Sequence, residues 1–251
     1  MIGLRPRTLV AMSLALVFGV LAIGWPLLVA PSGALAGGPA GSWMFAALLP
    51  LVLAVVLAQL SDGGMDAKTV AMLGVLSAVI AAVRPFGAGT GGVETVFFLY
   101  VLAGRVFGPG FGFALGSTSM FASALLTGGV GPWLPYQMLG ASFFAFGAGL
   151  LPRAKGKWEI LLLAAYGAVA SLLFGLALNL SFWPFFADGS QLSYLPGGGV
   201  GENLSRLIAY SVATSLGWDV GRAVTTGLLI AATGPLLLRV FRRAARRADF
   251  R

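Results

Sequence analysis

From Val106 to Pro152 the chain runs for 47 residues without one charged side chain. A water-soluble core does not need so long an uncharged tract. A bilayer does, because each helical span takes about 20 consecutive apolar residues. The tract is therefore read as two spans folded back on each other. The turn falls at Thr127 to Met138, TGGVGPWLPYQM, where glycine and proline interrupt the apolar pattern. Non-helical backbone at membrane depth survives only against protein or a watery cavity, which makes this loop a candidate wall of a binding site.

Composition supports the same class. Of the 251 residues 58% are hydrophobic and 10% charged, against about 25% charged in ordinary globular domains. The expectation is an all-α, polytopic membrane helix bundle. The chain has no Cys and no His, which removes thiolate nucleophiles, disulfides, thiolate zinc sites and imidazole acid-base chemistry. No metal or cofactor is expected, and the reading is a binder rather than an enzyme. The formal charge of +8 sits mostly beside apolar segments, as topology signals do, so nucleic acid is not expected as a partner.

Apolar length gives eight candidate spans, at about 8 to 30, 43 to 60, 68 to 84, 94 to 107, 109 to 127, 134 to 151, 158 to 181 and 221 to 240. If they alternate, Arg5, Arg7, Lys68, Arg153, Lys155, Lys157 and the tail arginines 239, 242, 243, 246, 247 and 251 fall on one side. The positive-inside rule then makes both termini cytoplasmic, in the plasma membrane. Arg84, Arg206 and Arg222 fall outside, and Arg105 lies near the inner end of its span. The run Thr8 to Ala30 exceeds the apolar core of a signal peptide, so it reads as an uncleaved first span; cleavage after Ala34 or Ala36 is the alternative. Leu204 to Trp218 would reverse the tail if it spanned. It reads as a short outer-face or re-entrant helix, with the break before the last span near Gly217, Trp218 and Asp219.

Under this topology the polar residues at the outer ends are Arg84 and Glu94 around PFGAGTGGV, Trp133 and Gln137 in the loop, Asn179 and Trp183, and Asp219 with Arg222. Aromatic faces plus a few polar groups from separate elements are what a small-molecule pocket needs. The plainer reading makes Trp133, Tyr136, Trp183 and Tyr194 an interfacial belt. Asp219 and Arg222 are spaced to pair on one helix face. Arg84 and Glu94 either gate a pocket through their glycine-rich loop or hold it as an ion pair. On the third span Ala67, Ala71, Gly74, Ala78 and Ala82 form a small-residue stripe that would let another helix approach closely, or pack within the bundle. Gly108, Gly112 and Gly116 form a second such stripe. GAGTGGVET has no lysine and is no P-loop, so ATP would have to act through a partner.

From about Lys68 onward the chain resembles a substrate-binding S component of an energy-coupling-factor (ECF) vitamin transporter. The resemblance rests on AVRPF, on GVETVFFLYVLAGRVFGPGFGFALG, on the GPW-x-P-x-Q-M element of the loop, on YGAVASLLFGLALNLSFWPF and on GWDVGR. It implies a six-helix core over residues 63–251, preceded in 1–62 by two additional N-terminal helices. It also implies a vitamin or cofactor precursor bound at the outer face, a membrane T component docked on the alanine-rich stripe, and two cytoplasmic ATPases. Within that picture Trp133 stacks on the ligand, while Gln137, Asn179 and Asp219 bond to it. Two other classes stay open: a membrane scaffold that only binds partner spans, and an intramembrane lipid transferase with Glu94 or Asp219 as base.

Overall fold

A computed structural model describes residues 6–28, 49–50, 52–54, 67–87, 91–185 and 190–247. They form a bundle of eight helices of at least eleven residues: α1 (Pro6–Leu28), α2 (Ala67–Val83), α3 (Phe97–Phe107), α4 (Pro109–Thr127), α5 (Leu134–Leu150), α6 (Lys157–Phe182), α7 (Val200–Thr214) and α8 (Leu216–Arg247). No strand occurs among the described residues. The fold is all-α. Among the described residues four stretches are long and apolar enough to cross a membrane: Ala67–Phe86, Pro109–Thr127, Lys157–Phe185 and Leu216–Arg247. Their outward faces carry large apolar side chains, such as Leu161, Leu172 and Leu173 on α6 and Val224, Leu228 and Leu236 on α8. Such faces are costly in water and ordinary in lipid, so the bundle fits a membrane protein. The expected second span lies mostly outside the described residues, though 49–50 and 52–54 are helical.

The shortest helix sits in the middle. α3 packs against α4, α5, α6 and α8, and Phe97, Leu99 to Gly104 and Phe107 are all buried. A helix enclosed by others need not match the bilayer on its own. It stops at Gly108, whose φ of 97° turns the chain straight into Pro109, the first residue of α4; proline suits that position because its missing N–H would have no helical acceptor anyway.

α4 and α5 form the antiparallel pair foreseen in the uncharged tract, and they touch closely. A methyl at Gly112 would lie 2.7 Å from the Ala145 carbonyl, and one at Gly116 would strike the Ala141 and Ser142 backbone. Ser117 and Ser142 share a 2.6 Å hydrogen bond across the same seam. The stripe containing Gly112 and Gly116 is therefore interior packing. The α2 stripe is the opposite case: Ala67, Ala71, Gly74, Ala78 and Ala82 are all exposed, while Leu73, Leu76, Ser77, Ile80 and Ala81 face the bundle.

The break before the last span corrects the expectation. It falls at Ser215, not near Gly217 to Asp219, and α8 starts at Leu216. Ser215 accepts the Asp219 N–H through its carbonyl at 2.9 Å and lends its hydroxyl to the Asp219 carboxylate at 3.2 Å. These bonds tie the first turn of α8 to Ser215, and Gly217 is absorbed into that turn. Glu94 lies on the glycine-rich loop as expected, and α3 opens at Phe97 rather than at about residue 94.

Candidate functional site

The site grows from a close approach of two backbones. Gly92, at φ 81°, lies against the Trp218 carbonyl, and Gly221 lies against the Gly91 carbonyl. A side chain at either position would push the GGVET loop off α8. With both bare, the loop rests on the start of α8 and delivers Glu94 to Arg222, Oε1 to Nε 3.7 Å.

Arg222 is the hub of this end. Its Nη1 donates to Asp219 Oδ1 at 2.9 Å and to the Ser171 carbonyl on α6 at 3.0 Å. Its guanidinium lies over the Phe97 and Phe174 rings, 5.4 and 5.0 Å from their centroids, a placement that favours a partly dehydrated cation. The chain of contacts continues through Asp219 to the Ser215 hydroxyl and on to Asn179, whose Nδ2 donates to Ser215 and to Ser211. Asp219 and Arg222 are both buried, and a buried charge of either sign needs such a partner.

A second arm comes from α2. Arg84, in the 3₁₀ turn that ends this helix, donates to Ser123 on α4 at 3.3 Å and to Gln137 Oε1 on α5 at 3.4 Å. Burial raises the Glu94 carboxyl above its ordinary 4.5, while the charges of Arg222 and Arg84 pull it back. Glu94 thus feels both arms. Tyr100, fully buried, shares a 2.8 Å hydrogen bond with Ser119 and also lies in the field of Arg84 and Glu94.

Of the eight residues singled out from sequence, six fall in these two arms: Arg84 with Gln137, and Glu94, Arg222, Asp219 and Asn179 in one series. Glu94 faces Arg222 rather than forming a direct ion pair with Arg84. Trp133 stands at the rim, 44% exposed, with its indole N–H on the Gly129 carbonyl of its own loop. Trp183 belongs to a separate cluster with Tyr194 and Leu207, where its N–H donates to the Leu192 carbonyl at 2.6 Å. There it anchors Leu192 and Tyr194 against the end of α6. Sequence reasoning missed the Ser123, Ser211 and Ser215 hydroxyls, because hydroxyls in apolar helices usually bond their own backbone, as Ser171, Ser181 and Thr225 do here; it also missed Ser171, which takes part through its backbone carbonyl.

The contacts differ in tightness. Arg222 to Asp219 is short, whereas both Arg84 bonds are long and the Arg222 Nε, though buried, has no hydrogen-bond partner. The group, without thiol or imidazole, therefore offers two guanidinium groups, two carboxylates and the amides of Gln137 and Asn179, a set suited to hydrogen-bonding a polar molecule. No group of His, Cys, Asp and Glu able to hold a metal ion occurs among the described residues. Comparison with protein-family models, curated proteins and solved structures returned no match.

Proposed function

We propose that this chain is the substrate-specific membrane subunit of an ECF-type importer, binding a vitamin or cofactor precursor at the Arg222 end of the bundle for uptake. The observation that carries the reading is that two polar pairs from four separated segments, Arg84 with Gln137 and Glu94 with Arg222, lie in an apolar bundle with the Arg84 charge acting on Glu94. Charges are expensive there and are retained where they bind or move a solute. The AVRPF, GVET, GPW-x-P-x-Q-M and GWDVGR segments that carry the resemblance are the ones that supply these side chains.

In this reading the Arg222 end faces outward and the basic tail faces the cytoplasm, following the positive-inside rule. The exposed Ala67, Ala71, Gly74, Ala78 and Ala82 face takes the T component, which couples to two ATPases; no P-loop of its own is needed. The exposure of that whole stripe on one helix face also suits the scaffold reading, since both need a partner helix there. The two separate on ligand. Purification from native membranes followed by mass spectrometry yields a bound small molecule for the importer subunit, and Arg84→Ala with Gln137→Ala releases it. A ligand-free protein that co-purifies stoichiometrically with a complex lacking ATPases would instead establish the scaffold.

A further inference from the structure

At the end of the bundle opposite Arg222, a cavity of about 790 Å³ opens between α3, the α5–α6 connection and α8. The two ends are far apart: from Arg222 to Arg242 α8 rises about 30 Å, the thickness of a bilayer core. The cavity is lined by Arg105, Arg153, Lys155 and Arg242 against one carboxylate, Glu159.

That carboxylate is already engaged. Glu159, buried, bonds Arg105 Nε at 2.8 Å and Arg242 Nη2 at 2.6 Å, and Arg105 also donates to the Leu151 carbonyl at 2.8 Å. Glu159 therefore fixes two guanidinium groups at the wall while neutralising one charge. Arg153 and Lys155 are exposed and form no ion pair among the described residues. Gly156, at φ 58°, starts α6 at the same place, so the positive end of a 26-residue helix adds to the excess of cations. A topology signal needs only basic residues on one side of the membrane. It does not need them converging on a cavity with a buried carboxylate as their brace.

We infer that this cavity binds a phosphate-bearing anion. Leu150, 60% exposed, lines it, and Trp158, 65% exposed, directly precedes Glu159 of its wall in the chain. An apolar wall and an interfacial tryptophan beside a basic pocket favour the headgroup of an anionic phospholipid over a free anion. The inference is independent of what binds at the Arg222 end.

The test compares the full chain in detergent with phosphatidylglycerol, phosphatidylcholine or inorganic phosphate, read by native mass spectrometry and thermal unfolding. Phosphatidylglycerol is expected to bind and stabilise more than phosphatidylcholine. Arg153→Gln with Lys155→Gln, both on the surface and outside the Glu159 network, is expected to weaken it on the order of tenfold. If inorganic phosphate alone gives the full stabilisation, sensitive to the same variant, the site stands with a soluble phosphate as its source. Equal binding of the two lipids with no phosphate effect, or a phosphatidylglycerol preference unchanged in the double variant, overturns it.

Discussion

Gly175 on α6 lies directly against the Asp219 carboxylate of α8, in space that any side chain would need. The bare backbone there lets the carboxylate reach Arg222 and Ser215 at once. Gly175→Ala is expected to destabilise the protein by about 1–3 kcal/mol, the cost of overpacking a filled interior. Thermal unfolding in detergent measures it, with Gly74→Ala as the reference, because nothing lies within 4 Å of a methyl at Gly74. An equal effect of the two substitutions would remove the role assigned to Gly175.

Glu94 gives a pH dependence of defined sign. Its carboxyl is raised above 4.5 by burial, against Arg222 and Arg84. A raised value means the folded state holds its proton more tightly than the unfolded chain does. The stability contributed by that proton is complete below 4.5 and is lost as pH rises through the raised value. Glu94→Gln keeps a neutral side chain at every pH, so the variant should gain stability relative to the parent as pH rises. Melting temperatures of both proteins across about pH 4 to 8 test this; a difference that stays constant with pH would contradict it.

How much of this was legible beforehand depends on the kind of signal. The α4–α5 pair follows from an uncharged tract with a glycine-proline turn, and α4 begins and ends where apolar length and Pro109 put it. The Asp219–Arg222 pair follows from helical spacing alone. The start of α8 does not, because Gly217 reads as the breaker while the chain turns at Ser215, which bonds Asp219 through its carbonyl and its hydroxyl. Nor does Glu94 on Arg222: this contact spans about half of the chain and depends on Gly92 and Gly221 touching, which no local pattern records. Chain position groups Trp183 with the pocket, yet Tyr194 packs on its ring and the Leu192 carbonyl satisfies its N–H.

The two glycine-alanine stripes carry the same sequence signature and face opposite ways. For the α2 stripe, Gly74→Leu with Ala78→Leu should leave unfolding of the isolated chain within about 0.5 kcal/mol, as surface substitutions do. If the proposed function holds, the same variant should fail to retain a T component on co-purification, because leucines hold a partner backbone away. Retention of the partner at parental stoichiometry would place the docking face elsewhere.

The central claim is that Arg84 and Gln137, with Glu94 and Arg222, hold a small molecule. Its most direct measurement is the amount of small molecule retained per chain after purification from native membranes, in the parent and in Arg84→Ala with Gln137→Ala. Hydrogen bonds to a charged group are worth about 1.5–3 kcal/mol, so retention should fall by more than tenfold in the variant while its melting temperature shifts little. A parent that carries no small molecule, or a variant that carries as much as the parent, would contradict the account.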